Sequence, residues 1–231
     1  MKPFGQISSI ISLRSRLLTA FIVLFIFFAN QTNGQETRDG VNISWQELYL
    51  YHEFGEKWEM GVLFNTFVDF DYGFFDWFVE GKISYQILTW LEAEAMYRQE
   101  YYKISLDSSN WTYEQRPMLR FSSKFKIGNF KFRQRNRGEM RMFELLNTSF
   151  RYRGDLRIKY PTELTSFNLS PYIIEEWFVG KRGYSRNRLY FGISGNKGRF
   201  SPVMYMLLQS SKGKERWFSK WICGIALDIR I

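Results

Sequence analysis

The chain has 231 residues, with 45% hydrophobic, 19% aromatic and 24% charged side chains and a formal net charge of +9. This balance excludes both a disordered chain and a protein built of apolar membrane helices. A single cysteine and a single histidine exclude a disulfide framework, a cysteine-rich zinc knuckle and a histidine-rich metal site. We therefore expect no metal and no cofactor, and only His52 is available for histidine acid–base chemistry.

The amino-terminal segment has the pattern of a secretory signal peptide. Three basic residues and no acidic residue accompany a run of thirteen residues that ends at Ala29 and contains one threonine as its only polar residue. The run is shorter than the roughly 20 residues of a membrane-spanning helix. We predict a signal peptide at 1–34, cleavage between Gly34 and Gln35, and a single barrel domain at 35–231. The alternatives are cleavage at Ala29 and an uncleaved anchor helix.

The rest of the chain alternates polar and apolar residues. Between residues 74 and 87, Phe75, Trp77 and Val79 fall on one side and Asp76 and Glu80 on the other. This period of two predicts a strand with one apolar and one polar face. Short turns rich in Gly, Asn, Ser and Lys separate such runs, as β-hairpins require. We predict eleven strands, at 43–53, 57–70, 74–87, 89–102, 111–126, 129–142, 148–160, 169–180, 184–196, 199–210 and 215–231.

An antiparallel sheet of this kind fits either a soluble barrel or a transmembrane barrel. Three features favour the membrane: complete rows of charge on the polar face, the signal peptide, and strands longer than the 9–11 residues that cross a bilayer. Aromatic residues near strand ends, among them Trp45, Tyr49, Trp58 and Phe75, are typical of interfacial girdles. We therefore predict an all-β fold, a single antiparallel up-and-down transmembrane β-barrel of 10–12 strands. The alternative is a soluble, exported, lipocalin-like carrier.

The predicted strand number conflicts with a general rule. Bacterial single-chain barrels normally have an even number of strands, so one of the eleven predicted strands is expected to be wrong. The first strand is the weakest prediction, because both of its faces are apolar: Leu48 and Leu50 on one, Trp45 and Tyr49 on the other.

Five segments alternate charged and aromatic residues: WQELYLYHEF at 45–54, FRQRNRGEMR at 132–141, FRYRGDLRI at 150–158, SPYIIEEWF at 170–178 and NRLYFGI at 187–193. Through them, nearly the whole mature chain resembles the bacterial outer-membrane barrels of domain-of-unknown-function family 2490. The resemblance implies an exported barrel in the bacterial cell outer membrane, without an assigned reaction. Its partners would be outer-membrane lipid and, during biogenesis, the barrel-insertion machinery. Outer-membrane barrels often end on an aromatic residue that this machinery reads, whereas this chain ends on Ile231.

Charged side chains on one face of the central strands are expected to line the lumen: Glu92, Glu94, Arg98, Glu100, Glu114, Arg116, Arg120, Arg133, Arg135, Arg137, Glu139, Arg151, Arg153, Asp155 and Arg157. Arginine pairs bidentately with carboxylates and stays protonated. We expect ion pairs between two sets of them: Arg133, Arg135, Arg137, Arg151, Arg153 and Arg157 on one side, and Glu92, Glu94, Glu100, Glu114, Glu139 and Asp155 on the other. The opposite face is expected to contact lipid through Phe64, Trp77, Val79, Ile83, Phe121, Leu156 and Ile225.

Two functions are compatible with such a lumen. The charges either brace it, or they form a porin-like constriction that passes small solutes, anionic ones among them. Alternating basic and aromatic residues also occur on nucleic-acid platforms, but here the aromatic residues fall on the other face, so we expect no nucleic-acid partner.

The sequence carries no recognisable catalytic motif: GxSxG, HExxH, P-loop and GxGxxG are all absent. We therefore expect no enzyme and no catalytic residue. The alternative is a membrane-embedded lipid-modifying enzyme that uses His52, beside Tyr51 and Glu53.

Overall fold

The computed structural model describes residues 41–160, 168–213 and 216–231. The predicted signal peptide and its cleavage site lie outside these residues. The described residues form eleven strands, and none of the strand ends differs from the predicted position by more than two residues: β1 (Val41–Phe54), β2 (Trp58–Asp69), β3 (Gly73–Leu88), β4 (Leu91–Lys103), β5 (Trp111–Ile127), β6 (Phe130–Phe143), β7 (Ser149–Lys159), β8 (Ser170–Gly180), β9 (Gly183–Ser194), β10 (Phe200–Lys212) and β11 (Trp217–Arg230).

The strands form one closed barrel in which each strand is paired with its neighbours in sequence, and β1 pairs with β11. All consecutive pairs are antiparallel, whereas β1 and β11 run parallel from the Val41–Trp221 pair to the Tyr51–Arg230 pair. In an up-and-down barrel of eleven strands the first and last strands point the same way, so the closing pair must be parallel. The expectation of an even number is therefore wrong, and β1, the weakest prediction, is a full strand of 14 residues.

The interior has an apolar arc and a charged arc. Buried side chains of β1 and of β8 to β11 form a hydrophobic cluster: Ile43, Trp45, Tyr172, Tyr190, Tyr205, Leu207 and Ile222. The remaining strands complete the ring and direct mostly charged residues inward, such as Glu114, Arg116 and Arg137, all of them buried. The barrel interior is thus a polar compartment with an aromatic wall on one side.

Three aromatic residues that were predicted for interfacial girdles lie in the interior. Trp45 is 7% exposed, and Tyr49 and Phe75 line the central cavity. Both faces of β1 are apolar, so the pattern alone did not show that Trp45 and Tyr49 share the inward face with Glu47. At Phe75 a β-bulge intervenes, because Phe67 pairs with Asp76 while Val68 pairs with Phe74. The bulge inserts Phe75 as an extra residue and turns it inward.

Two interior tyrosines occupy the space that a glycine on the adjacent strand leaves free. Gly192 is directly opposite Tyr172, and a Cβ atom on Gly192 would lie 2.5 Å from Cζ of the Tyr172 ring. Gly224 is opposite Tyr205, and a Cβ atom on Gly224 would lie even closer to the Tyr205 ring. In a barrel of this width, glycine at these positions lets the large rings of the apolar arc fit side by side.

No helix of the length and hydrophobicity that a membrane crossing requires occurs within residues 41–160, 168–213 and 216–231.

Candidate functional site

A cavity of about 490 Å³ occupies the barrel interior and is lined by inward side chains of all eleven strands. Basic residues outnumber acidic ones in its wall. The fourteen basic residues are Lys82, Arg98, Arg116, Arg120, Arg133, Arg135, Arg137, Arg141, Arg151, Arg153, Arg157, Arg186, Arg188 and Lys220. The six acidic residues are Glu47, Asp76, Glu80, Glu100, Glu176 and Asp228.

The predicted lumen residues fall into three groups. Ten line the cavity: Arg98, Glu100, Arg116, Arg120, Arg133, Arg135, Arg137, Arg151, Arg153 and Arg157. Glu94, Glu114, Glu139 and Asp155 are buried and paired with these arginines. Glu92 on β4 forms the third group: it binds Lys124 on β5 at 2.6 Å, and the Lys124 side chain is largely exposed.

Other residues of the wall were missing from the predicted site, including Glu80, Glu176, Arg186 and Arg188. The alternation that revealed the central strands continues through β3, β8 and β9 and places these residues inward. Aromatic residues share the inward face there, such as Phe178 beside Glu176, so these strands were less conspicuous as rows of charge.

Three glutamates lie at the centre of the ion pairs, and each contacts two guanidinium groups. Glu114 contacts Nε of Arg116 at 2.7 Å and Nη2 of Arg141 at 2.6 Å. Glu139 contacts Nε of Arg137 at 3.0 Å and Nη2 of Arg151 at 2.6 Å. All of these carboxylates are inaccessible to solvent, so their charge is balanced within the protein.

The third glutamate, Glu176, links the charged arc to the apolar arc. It contacts Arg153, lies 3.5 Å from Nη1 of Arg188, and accepts a hydrogen bond of 3.1 Å from the Tyr190 hydroxyl.

One chain of alternating charges runs across three strands. Arg98 donates to Glu80 at 2.6 Å and lies 3.4 Å from Glu100. Glu100 in turn contacts Arg116 at 2.9 Å, and Arg116 continues to Glu114. Because Arg98, Glu100 and Arg116 each contact two ions of opposite charge, this part of the wall is electrically balanced.

Aromatic rings also contact several arginines of the cavity wall. Phe178 is 2% exposed and lies within 5.6 Å of the guanidinium carbons of four arginines: Arg151, Arg153, Arg186 and Arg188. The Arg98 guanidinium lies 3.5 Å from the centre of the Phe78 ring. The negative face of an aromatic ring attracts cations, so these rings partly compensate for the shortage of carboxylates.

The outer face of the barrel is mainly apolar. Phe64, Ile83, Phe121 and Ile225, all predicted to face outward, are exposed. Large exposed apolar side chains occur on every strand except β8. In the middle of β8 the outward residue is Glu175, which is exposed and accepts a hydrogen bond of 3.2 Å from the side-chain amide of Asn187. Polar residues therefore concentrate inside and apolar residues outside.

The sequence matches a family model described as "Protein of unknown function (DUF2490)" over residues 42–198, more than half of the chain. The chain belongs to this family. Among curated proteins, none matches it. The resemblance identified from the alternating charged and aromatic segments is thereby confirmed.

In this DUF2490 barrel the expected ion pairs form in part. Arg135 donates to both oxygens of Asp155, at 2.9 and 2.7 Å, and Arg137 and Arg151 contact Glu139. The other three arginines of the expected set differ. Arg153 contacts Glu176 on β8, and neither Arg133 nor Arg157 has a carboxylate within 4.0 Å among the described residues. The expected pairing of Arg133 and Arg157 is therefore wrong.

His52 of the DUF2490 barrel is not among the residues that line the cavity and lies just beyond the end of the β1–β11 pair. It is exposed, and its Nδ1 is 2.6 Å from the carbonyl oxygen of Ile231. In the part of the chain that the structure describes, no group of three or more His, Cys, Asp and Glu side chains could hold a metal ion. The lipid-modifying enzyme that would use His52 stays a hypothesis.

Proposed function

We propose that this DUF2490 protein is a bacterial outer-membrane barrel whose interior passes small anions passively. The apolar outer face lies in lipid in this proposal, and the basic cavity faces water. The observation that carries the proposal is the combination of an apolar exterior with a cavity wall of fourteen basic and six acidic residues.

The distribution of polarity supports the membrane location. A water-soluble barrel such as a lipocalin turns apolar residues inward to hold its ligand. Here, Glu114, Glu139 and Glu176 are among the most deeply buried side chains, while Leu119 and Phe150 are exposed. Closure of the barrel also pairs the backbone groups of every strand, as hydrocarbon surroundings require. The strands have 11–17 residues, enough to cross a bilayer at the usual tilt.

The charge balance of the cavity supports anions as the solutes. A surplus of fixed cations in a narrow lumen gives a positive potential that draws anions in and repels cations. Three of the six acids in the wall, Glu80, Glu100 and Glu176, are already engaged by arginines, so they offer little to a passing cation.

Planar-bilayer recordings of the purified mature protein test the proposal. Under a KCl gradient, we expect a reversal potential that indicates a preference for chloride. The double variant Arg135→Gln/Arg153→Gln should reduce this preference, and Arg182→Gln, in the exposed turn between β8 and β9, is the matched control. No conductance for either ion would refute passage and favour the alternative that the charges only brace the barrel.

The membrane location has an independent test. Cell fractionation should place the protein in the outer-membrane fraction, and folded protein should migrate differently on a gel before and after boiling. Recovery in the soluble periplasmic fraction, without heat-modifiable migration, would favour the soluble carrier.

A further inference from the structure

Two arginines of the cavity wall face each other, and among the described residues neither has a carboxylate within 4.0 Å, because Asp155 and Asp228 act on them only from farther away. Arg133 on β6 is directly opposite Arg157 on β7, and both line the cavity. The Nε atom of each is buried and has no hydrogen-bond partner in the part of the chain that the structure describes. Like charges directly opposite each other on neighbouring strands repel, and an unpartnered buried donor adds to the cost. This pair is therefore prepared for a ligand that the surrounding wall does not supply.

The carboxylates on the strands beside this pair are engaged by other cations. Lys124 on β5 is opposite Arg133, and it binds Glu92. The nearest acid on β7, Asp155, is held by Arg135 through both of its oxygens.

A second row of cations lies beside the first, at the end of the barrel. Lys126 is opposite Lys131, and Lys131 is opposite Lys159. Lys126 and Lys131 are exposed and lie close to the turn between β5 and β6. Six basic residues in two adjacent rows thus lead from the barrel end to the arginine pair.

We propose that Arg133 and Arg157 form a binding site for a phosphate group, with the lysine row as its entrance. A carboxylate has two oxygens and suits a single guanidinium fork, whereas a tetrahedral phosphate has enough oxygens to accept from two forks at once. The Arg157 guanidinium lies 4.0 Å from the centre of the buried Tyr172 ring, which holds it in place. This inference rests on the proposed function, which makes the cavity accessible to small anions, and it adds phosphate as the class of ligand.

Calorimetric titration of the folded mature protein in zwitterionic micelles tests the site. Inorganic phosphate at pH 8 should bind saturably and more tightly than succinate. Arg133→Gln and Arg157→Gln should each weaken phosphate binding at least tenfold, as the loss of one charge-assisted fork predicts. Arg182→Gln, which removes an exposed arginine outside the cavity, should stay within about twofold. Absent phosphate binding, or binding that neither cavity variant weakens, would overturn the proposal.

Short-chain phosphatidic acid and phosphatidylcholine in the same micelles distinguish the source of the phosphate group. Competition by phosphatidic acid that depends on Arg157 identifies a lipid-borne phosphate as a ligand. Binding of inorganic phosphate without such competition identifies a soluble ligand. Both results support the site, whereas equal competition by both lipids in wild type and Arg157→Gln contradicts it.

Thermal unfolding separates loss of binding from loss of folding. Because Arg133→Gln removes one of two opposed cations and leaves the contact of Arg157 with Tyr172 in place, its unfolding temperature in phosphate-free buffer should equal or exceed that of the wild type. Phosphate should raise the unfolding temperature of the wild type only, since it binds the folded state. A lower unfolding temperature of Arg133→Gln without phosphate would show that the protein itself satisfies the pair. If the barrel binds phosphate but does not conduct, the proposed passage of anions is refuted and the phosphate site stands. If it conducts but does not bind phosphate, only the phosphate site is refuted.

Discussion

Replacement of Glu114 by glutamine tests whether the buried ion pairs hold the barrel together. The Glu114 side chain is completely buried and accepts from Nε and Nη2 of Arg141, at 2.7 and 2.6 Å, and from Nε of Arg116, at 2.7 Å. Glutamine keeps the shape of the side chain and removes its charge. Arg116 then retains Glu100 at 2.9 Å, whereas Arg141 loses its carboxylate.

The expected cost follows from these contacts. Removal of one partner from a buried ion pair destabilises a protein by about 3–5 kcal/mol, because the other charge stays buried without compensation. The Arg141 side chain is 24% exposed to the cavity, so water can solvate part of its charge. We therefore expect a loss near the lower limit, about 3 kcal/mol in the free energy of unfolding.

Urea titration in lipid vesicles, followed by the fluorescence of the eight tryptophans, measures this loss. Glu56→Gln, in the exposed turn between β1 and β2, is the matched control and should change stability by less than about 0.5 kcal/mol. The double variant Glu114→Gln/Arg141→Gln should recover about 1–2 kcal/mol, because it removes the orphaned cation together with its partner.

Two results would refute this reasoning. A loss under about 1 kcal/mol for Glu114→Gln would show that water in the cavity solvates Arg141 almost as well as the carboxylate does. A double variant whose loss equals the sum of the two single losses would show that Glu114 and Arg141 are not coupled.

Three further predictions concern the outer face, the interior and export. Val79→Arg should destabilise the protein in vesicles by about 2–4 kcal/mol if it lies at mid-bilayer, and a loss under about 0.5 kcal/mol in the same titration would mean that the faces are reversed. Gly224→Val should cost about 1–3 kcal/mol, because its side chain collides with an interior tyrosine ring, whereas Gly81→Ala has free space and should be neutral; equal losses would contradict the packing described. Mass spectrometry of the mature protein should find its first residue between Asn30 and Glu36, and an intact amino terminus in the membrane fraction would show that no cleavage occurs.

Much of the candidate site was predictable, because alternation assigns each residue to a face. Arg135 and Glu139 differ in position by an even number, so they share a face wherever the strand lies. The cavity wall also contains Glu176 and Arg188. Alternation places both of them inward if aromatic residues on the same face, such as Phe178, are also taken as interior residues. The ion pairs themselves were less predictable, since a row of charges on one strand does not state which residue of the next strand lies opposite.

The sequence by itself determined the strands and their two faces, because the two-residue period of an extended chain is a local property. Only the tertiary structure decided the closure, the register and the bulge. Eleven strands close through a parallel pair of β1 and β11, and Phe75 turns inward where one residue is inserted opposite β2. Register also selects Glu176 as the partner of Arg153 and leaves Arg133 opposite Arg157. The stagger between strands and the closure of the barrel depend on contacts between distant parts of the chain, so the alternation within each strand does not predict them.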